Sequence, residues 1–434
     1  MNVIFQDIRC FSSRHSIRLR PLTLVVGENS SGKSTFLGIV SAVSRGYSFP
    51  ISPTFNEAPF LLGNYENIAT YKGGKYGRAN SFKIGYVDQT RRSGEMELVG
   101  SYVNDRGTPI LKSISVKTKK AEFEVTRYSS KLSVQGNFSI KNKPNLVPVA
   151  FDITIDSDSN HATDAWMSIF FRHNSSQVKL NEEQREAFEH LSILNDIIFE
   201  GRPTVSAIAP LRTKPLRTYD QSKLEYSADG DHVPYALARL FDDAKTDQVA
   251  SDKIKALIRF GKDSGLFKDL KVKFLGKNVS DPFQILVTVS GRPANLVDVG
   301  YGVSQSLPIV SEALAQNRNG YLLLQQPEVH LHPKAQAAIG SFFANLVATK
   351  KRRFIIETHS DYIVDRVRHA VAKKELSPDD VTILYLEPYS HKSIIHQMSL
   401  DENGNLQNAP MGYRAFFLRE EMKMLTLGSD ADAQ

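Results

Sequence analysis

A glycine-rich segment, Gly27-Glu28-Asn29-Ser30-Ser31-Gly32-Lys33-Ser34-Thr35, constrains the fold of this 434-residue chain more than any other feature. It fits the phosphate-binding pattern G-x-x-x-x-G-K-[ST]. The residues before it, Leu22 to Val26, are mostly apolar and β-branched and predict a buried strand. The residues after it begin an apolar helical pattern. Because the motif requires a strand, a glycine loop and a helix in this order, the segment predicts a P-loop.

The residue types of this loop suit a nucleoside triphosphate bound with Mg²⁺. Glycines allow backbone N–H groups to turn towards phosphates, and the N-terminus of the following helix adds its positive dipole. Lys33 is placed to reach the β- and γ-phosphates, and Ser34 is placed to bind Mg²⁺. The predicted nucleotide-binding residues of the loop are Gly27, Asn29, Ser30, Ser31, Gly32, Lys33, Ser34 and Thr35.

Composition limits the class of protein. The chain is 41% hydrophobic and 23% charged, which is typical of a globular protein with an ample core. No apolar run approaches the length that spans a membrane, and the first residues lack the pattern of a signal peptide. The single cysteine, Cys10, cannot form an internal disulfide. We therefore expect a cytoplasmic protein with no membrane partner.

Positive charge is concentrated in one region. Between Lys72 and Lys143 there are 15 Lys and Arg residues against 6 Asp and Glu residues, although the net charge of the whole chain is only +7. The rest of the chain is therefore close to neutral. A basic region on a neutral body favours an anionic partner, with nucleic acid as the leading candidate and a solvated basic surface as the alternative.

The pattern of the chain changes twice along its length. Between about residues 95 and 175, short stretches alternate between apolar and polar residues, which predicts half-buried antiparallel strands. From Val297 onward, helical patterns alternate with apolar strand-like runs. We predict one α/β domain divided by a long β-rich insertion. Residues 1–50 form its N-terminal part with the P-loop, residues 51–200 form the β-rich basic insertion, and residues 201–434 form its C-terminal part.

Three further motifs follow in the C-terminal part. They are Gly300-Tyr301-Gly302-Val303-Ser304-Gln305, then Leu322-Leu323-Leu324-Gln325-Gln326-Pro327-Glu328-Val329-His330-Leu331-His332-Pro333, and then Ile355-Ile356-Glu357-Thr358-His359-Ser360. With the P-loop, this order resembles the ABC-type ATPase heads of the RecF, SMC and OLD (overcoming lysogenization defect) families. The closest resemblance is to bacterial OLD-like, AAA-named ATPases, many of which belong to anti-phage defence systems. It covers the P-loop segment and about residues 205–420, and it implies an ABC-type P-loop ATPase head with ATP and Mg²⁺ as cofactors.

By this resemblance, the segment from Gly300 to Gln305 corresponds to the ABC signature, which closes over the γ-phosphate held by a second head. Gly302 and Ser304 are the predicted nucleotide contacts, because a glycine turn at the start of a helix presents N–H groups and a hydroxyl. Tyr301 stands near the position where the family usually has a serine. The sequence leaves open whether the Ser304 hydroxyl or the Gly302 amide takes that role, and Ser304 can equally be a helix N-cap.

The segment from Leu322 to Glu328 resembles the Walker B strand, which in the family ends in acidic residues that hold Mg²⁺ and polarise the attacking water. Both corresponding positions here are amides, Gln325 and Gln326, and Glu328 is the nearest carboxylate. An amide can orient water, but it carries no charge to balance Mg²⁺ and cannot accept a proton. Either turnover is naturally slow with Glu328 as the remaining acid, or Gln325 is an introduced replacement of Glu that traps an ATP-bound dimer.

The site implied by the resemblance combines these motifs. His359 resembles the switch histidine that contacts the γ-phosphate, with Glu357 and Asp361 as residues that orient it. The predicted catalytic residues are therefore Gln325, Gln326, Glu328 and His359, and the predicted metal ligands are Ser34 and Gln325. His330 and His332 have the spacing of a metal pair, but no third ligand is evident. We interpret them as part of the turn and partner-head contact after Walker B.

Four other residues have open assignments. Arg212 and Arg217 follow a predicted strand and lie near the nucleotide, between two heads, or on a plain surface loop. Arg9 and Phe11, on the N-terminal strands, are candidates to pack beside the adenine.

These patterns predict an ATP hydrolase whose heads form a homodimer or a higher homo-oligomer, head to tail. We expect a sensor or regulatory subunit of a nucleic-acid-linked, anti-phage defence system. No carboxylate cluster like that of the OLD Toprim nuclease follows Leu386, so the effector, a nuclease or toxin, is expected to be a separate protein. A RecF-like DNA-repair clamp is the alternative. A transporter subunit is disfavoured by the long insertion and by the run from Pro327 to Pro333.

Overall fold

The computed structural model describes residues 1–44, 48–74, 77–90, 94–129, 131–139, 146–154, 181–187, 204–220, 225–276, 281–316 and 320–413. Within these ranges, no helix is both long and apolar enough to span a membrane. The fold is mixed α/β and contains two large sheets, which confirms the fold class predicted from the sequence.

The strands, in chain order, are β1 (Asn2–Gln6), β2 (His15–Arg18), β3 (Leu22–Gly27), β4 (Asn56–Glu57), β5 (Phe60–Leu61), β6 (Phe82–Thr90), β7 (Gly94–Asp105), β8 (Thr108–Thr118), β9 (Ala121–Arg127), β10 (Lys131–Ser139), β11 (Leu146–Thr154), β12 (Val205–Ile208), β13 (Asp269–Phe274), β14 (Phe283–Thr288), β15 (Ala294–Asn295), β16 (Tyr321–Gln325), β17 (Phe354–Glu357), β18 (Val381–Tyr389), β19 (Lys392–Leu400) and β20 (Leu406–Gln407). The helices are α1 (Lys33–Ser44), α2 (Tyr65–Ile68), α3 (Val233–Asp243), α4 (Gln248–Ser264), α5 (Tyr301–Ala315), α6 (Pro333–Lys350) and α7 (Asp361–Ala372).

The seven-stranded sheet has the order β12-β16-β17-β3-β18-β19-β20. Its strands from β12 to β18 are parallel, and β19 returns antiparallel to β18. The register pairs Gln325 with Glu357 and Glu357 with Val25. The carboxyl ends of β16, β17 and β3 therefore meet at one edge of the sheet, which is where ligands bind in open α/β folds.

The eight-stranded sheet has the order β11-β10-β9-β8-β7-β6-β1-β2, and all of its neighbouring strands are antiparallel. In β9, Ala121, Phe123 and Val125 are buried while Glu122 and Glu124 are exposed, so the alternation seen in the sequence becomes two faces of a sheet. Because β6 pairs with β1, the sheet joins the first strands of the chain to strands 82–154 and crosses the predicted boundary at residue 50.

Two hydrophobic clusters cover the two faces of the parallel sheet. Leu323 and Ile355 point into the cluster that contains α1 and the eight-stranded sheet. Their neighbours Leu324 and Ile356 point into the cluster that contains α3 to α7. A strand that is buried on both faces has a nearly continuous apolar sequence. Strand β16 is an example, because all of its residues from Tyr321 to Gln325 are buried. The sheet edge that carries the P-loop is therefore held on a rigid double-sided core.

Candidate nucleotide site

The P-loop connects β3 to α1, and its glycines are required by its backbone. Gly27 and Gly32 have φ angles of +143° and +96°, values that other residues rarely adopt. A Cβ atom at Gly27 would lie 2.3 Å from the Leu386 carbonyl oxygen, and one at Gly32 would lie 2.6 Å from the Cys10 sulfur. Both positions therefore exclude side chains on steric as well as conformational grounds.

The Lys33 side chain lies across this loop. Its Nζ donates hydrogen bonds of 3.1 Å to the Gly27 carbonyl oxygen and 2.6 Å to the Glu28 carbonyl oxygen. Burial lowers the pKa of Lys33, and the negative charges of Glu357, Glu328 and Glu28 oppose that effect. The lysine is thus held at the loop by carbonyls that a phosphate ligand would replace as its partners.

A carboxylate from a distant part of the chain reaches the serine of the loop. The Ser34 Oγ lies 2.9 Å from each of the two carboxylate oxygens of Glu357, to which it donates. The Gln325 Nε2 donates to Glu357 Oε2 at 3.2 Å. Glu357 is only 4% exposed, whereas Ser34 is open to the cleft. The sequence assigned Glu357 to orient His359, but its carboxylate contacts Ser34 and Gln325.

The segment after β16 is held in an unusual backbone conformation. Gln326 has a φ of +44°, and its N–H donates to the Glu357 carbonyl oxygen at 2.8 Å. Glu328 is 9% exposed, and its Oε1 accepts a 2.7 Å hydrogen bond from the His359 N–H. Burial raises the pKa of Glu328, an effect that the His359 N–H opposes. Glu328 therefore lies behind the His359 backbone, while Gln326 lines the cleft.

The His359 ring is exposed and lines the same cleft as Lys33 and Ser34. Partial burial lowers its pKa, and the positive charge of Lys33 lowers it further. The neutral imidazole therefore predominates at neutral pH. A neutral imidazole can donate one hydrogen bond to a phosphate oxygen without an extra charge.

Arg212 occupies a buried position behind Gln325 and Gln326, at the end of β16. It is 5% exposed, and its Nη2 donates to the carbonyl oxygens of Gln325 and Gln326 at 3.2 and 3.1 Å. Burial lowers its pKa to about 10, an effect that the nearby Glu328 opposes. Arg217, by contrast, forms an exposed ion pair with Asp298. The two arginines therefore have different environments: Arg212 is buried against the backbone that follows β16, and Arg217 lies on the surface in an ion pair.

The start of α5 carries the predicted signature. The Ser304 Oγ donates to the Tyr301 carbonyl oxygen at 2.9 Å, and Ser304 is 6% exposed. Gly300 and Tyr301 are exposed at the helix N-terminus, and the Tyr301 ring meets the His330 ring edge to face at 4.9 Å. A Cβ at Gly302 would lie 3.1 Å from the His330 carbonyl oxygen. The predicted contact of Ser304 and Gly302 with a second head stays a prediction.

A cleft of about 780 Å³ joins the P-loop to these groups. Its lining also includes Arg9, Asn67, Tyr71, Arg78 and His391. The Arg9 guanidinium donates to Thr35 Oγ1 at 3.1 Å and to the carbonyl oxygens of residues 62 and 67. The volume of the cleft is within the range of small-ligand sites.

Phe11 takes no part in lining this cleft. It is fully buried and packs edge to face against Phe5, with ring centroids 5.0 Å apart. A Cβ at Gly32 would lie 2.8 Å from the Phe11 ring. Phe11 therefore supports the P-loop from beneath.

Comparisons with known proteins support an ATPase. Residues 214–364 match the family described as AAA ATPase domain. This segment includes α5, β16, α6 and β17. No curated protein matches the chain significantly.

Solved structures of SMC heads resemble the chain at low identity. An SMC head bound to the C-winged helix domain of ScpA is 11% identical, with a TM-score of 0.47 and coverage of 92% of this chain and 98% of that chain. A Pyrococcus furiosus Smc head domain with an extended coiled coil, bound to the C-terminal domain of ScpA, is 11% identical, with a TM-score of 0.45 and coverage of 98% of both chains. The SMC head domain from Thermotoga maritima is 12% identical, with a TM-score of 0.38 and coverage of 91% of this chain and 97% of that chain.

Proposed function

We propose that this chain is an ABC-type ATPase head that binds ATP with Mg²⁺ at the P-loop and pairs head to tail with a second copy. The observation that supports the proposal most strongly is the shared cleft. Lys33, Ser34, Gln326, Glu357 and His359 come from three separate parts of the sequence and line one cleft at the carboxyl edge of the parallel sheet.

The residues of the cleft have distinct roles in this proposal. The P-loop N–H groups and the α1 N-terminus bind the phosphates. Lys33 exchanges its two carbonyl partners for phosphate oxygens, and His359 donates to the γ-phosphate. Mg²⁺, when bound, supplies positive charge to the phosphate oxygens. The donor set fits such an ion, because the Ser34 hydroxyl lies beside a carboxylate.

Slow turnover follows from the groups beside the γ-phosphate end of the cleft. Gln325 and Gln326 cannot accept a proton. Glu328 carries the carboxylate that follows these amides in the proposed Walker B segment. It is only 9% exposed, and its carboxylate accepts a hydrogen bond from the His359 N–H. Both explanations of the amides, a naturally slow enzyme and an introduced Gln325, predict tight ATP binding with poor hydrolysis.

Pairing of two heads is proposed through the N-terminus of α5. Gly300 and Tyr301 are exposed there, beside the His330 ring that follows the Walker B segment. A helix N-terminus favours an anionic group, so the γ-phosphate held by a partner head suits this surface. ATP binding would then promote association, and its loss would reset the heads.

We assign the ATPase to a regulatory role in a nucleic-acid-linked defence system with a separate effector, by the resemblance of its motifs. A basic surface on the β-rich region supports an anionic partner. Lys119 and Lys120 are exposed at the turn between β8 and β9. Lys117 has a partner in Glu122 at 3.2 Å, so the turn is the stronger candidate for phosphate contacts. The RecF-like DNA clamp remains the alternative that this surface also fits.

The test of the ATPase proposal is nucleotide binding by the Lys33→Ala variant. Titration calorimetry should show ATP binding by the unaltered chain and a loss of affinity of at least about tenfold in the variant, because the only lysine of the P-loop is removed. Lys334→Ala, at an exposed position on α6, is the matched control and should bind normally. Unchanged affinity in Lys33→Ala would refute the P-loop site.

A further inference from the structure

We propose that Glu357 is the carboxylate ligand of Mg²⁺ in this site, in place of an acid at the end of the Walker B strand. The inference rests on the proposed function, because it requires ATP and Mg²⁺ at the P-loop. The Ser34 hydroxyl, the usual protein ligand of Mg²⁺ in P-loop sites, lies 2.9 Å from both Glu357 carboxylate oxygens.

The sheet order explains how Glu357 reaches this point. Strand β17 lies between β16 and the P-loop strand β3. Glu357 is its last residue and is paired with Gln325 on one side and Val25 on the other. A residue at the end of β16 is one strand farther from β3. The carboxyl edge of the sheet therefore brings the side chain of β17, rather than that of β16, directly to Ser34.

Glu357 is a buried carboxylate that forms no ion pair within the described part of the chain, although the positive charge of Lys33 acts on it without direct contact. It is 4% exposed, and the donors to its carboxylate are a neutral hydroxyl, from Ser34, and a neutral amide, from Gln325. No Lys, Arg or His lies within ion-pair distance of it in the described part of the chain, and the Lys33 ammonium is bonded to carbonyl oxygens instead. Burying an ionised carboxylate is costly unless it is paired or binds a metal. A cation at the Ser34–Glu357 position satisfies this carboxylate.

The donor set suits Mg²⁺. This ion is usually held by one or two carboxylates, together with water and substrate phosphates. The described residues contain no cluster of three or more His, Cys, Asp or Glu that could hold a metal. A hydroxyl and a single carboxylate beside a phosphate loop match an ion that takes its remaining oxygens from nucleotide and water.

Gln325 takes a supporting role in this arrangement. Its Nε2 donates to Glu357 Oε2 at 3.2 Å, so the amide N–H points at the carboxylate and restrains its orientation. In this arrangement the group that binds the metal, Glu357, is not at either of the two positions where the family has acidic residues. Glu357 supplies the negative charge that the two amides lack, whereas neither Gln325 nor Gln326 can take a proton from water. The chain should therefore bind ATP in a strongly Mg²⁺-dependent manner and still hydrolyse it slowly.

The experiment compares ATP affinity with Mg²⁺ and with EDTA by titration calorimetry, in the unaltered chain and in Glu357→Gln. The substitution keeps the shape and an oxygen that accepts from Ser34, but removes the charge. We expect Mg²⁺ to increase ATP affinity in the unaltered chain, and this increase to fall about tenfold or more in Glu357→Gln, while affinity in EDTA is retained or rises. Electron paramagnetic resonance of Mn²⁺ with ATP reports the same metal site without hydrolysis and should show weaker Mn²⁺ binding in the variant.

Glu387→Gln is the matched control, because Glu387 lies at the same edge of the sheet but pairs with His396 at 2.8 Å. It should keep the full Mg²⁺ effect. Equal thermal unfolding midpoints will show that Glu357→Gln is folded, and Glu357→Asp should recover part of the Mg²⁺ effect if the fold tolerates it. A full Mg²⁺ effect in Glu357→Gln overturns the metal-ligand role. Absence of ATP binding by the unaltered chain, with and without metal, refutes the proposed function itself.

Discussion

Ser34 and Glu357 are 323 positions apart in the sequence, yet the Ser34 hydroxyl lies 2.9 Å from both oxygens of the Glu357 carboxylate. The contact forms because β17 pairs directly with the P-loop strand. It joins the two halves of the parallel sheet at the point where a phosphate-bound cation is expected. The charge of the site therefore comes from Glu357 on β17 as well as from Lys33 in the P-loop.

Restoring an acid at position 325 should change both metal dependence and turnover. In Gln325→Glu, a second carboxylate would stand beside Glu357, and two like charges at this distance disfavour ionisation of both unless a cation lies between them. We expect a lower unfolding temperature in EDTA, recovery with Mg²⁺ and ATP, and faster phosphate release. Calorimetry and a phosphate-release assay measure these effects. A metal-independent unfolding temperature would contradict the predicted carboxylate pair.

Removal of Arg212 should destabilise the Walker B segment. Arg212→Met removes the donor to the carbonyl oxygens of Gln325 and Gln326 and the positive charge near buried Glu328. We expect a loss of about 1–3 kcal/mol in the free energy of unfolding, measured by urea denaturation. The control is Arg217→Met, which breaks an exposed ion pair and should lower the free energy of unfolding much less, because solvent screens exposed charges. Equal effects of both substitutions would argue against a supporting role for Arg212.

A negative charge at the α5 N-terminus should prevent the heads from pairing. Tyr301→Glu places a carboxylate at an exposed position, where it would repel the γ-phosphate held by a second head. Light scattering with ATP and Mg²⁺ should show a dimer for the unaltered chain and a monomer for the variant, with ATP affinity preserved. Tyr362→Glu, exposed on α7, should still pair. A fully dimeric Tyr301→Glu variant would exclude this surface from the contact.

The basic turn between β8 and β9 should contribute to nucleic-acid binding. Changing both Lys119 and Lys120 to Glu should weaken binding to duplex DNA and reduce its dependence on salt, because fewer counterions are released from the phosphates. Fluorescence anisotropy over a salt series measures both quantities. The control changes Lys253 and Lys255 on α4 to Glu and should bind DNA normally. If the turn variant keeps DNA binding but loses a protein partner in a pull-down, the turn docks an acidic protein instead.

The histidine beside Lys33 should make stability depend on pH. Burial, with the charge of Lys33, lowers the pKa of His359 in the folded chain below its usual 6.5. The unfolded chain then binds the proton more tightly, so folded stability is lost as pH falls below about 6.5. His359→Gln should lose less stability than the unaltered chain between about pH 6.5 and 5, measured by thermal unfolding. Parallel losses in both proteins would show that His359 does not contribute to the pH dependence.

Much of the fold follows from local patterns. The apolar run from Leu22 to Val26 predicted β3 to within one residue, because strands buried on both faces must be apolar throughout. Helix α6 ends at Lys350, where Lys351 adopts a left-handed φ of +54°. Such an end has little signal in a sequence without a terminal glycine.

The motif order predicted a site that combines the P-loop, Gln326 and His359, and these residues line one cleft because each follows a strand of the same parallel sheet. The motif order did not determine which groups the side chains around the cleft contact. No local pattern indicated that Glu357 would face Ser34 or that Arg212 would be buried against the Gln325 and Gln326 carbonyls. The bond of the Ser304 hydroxyl within its own helix was likewise not predicted.

The physical reason lies in the range of the interactions. Glycine conformations, strand burial and helix starts depend on residues that are close in the chain, so the sequence by itself determined the P-loop, the strands around it and the α/β class. The partners of Glu357 and Arg212 depend on which strand lies next to which, over separations of 323 and 113 positions. Only the tertiary structure, with β17 between β16 and β3, decided which carboxylate reaches the P-loop serine.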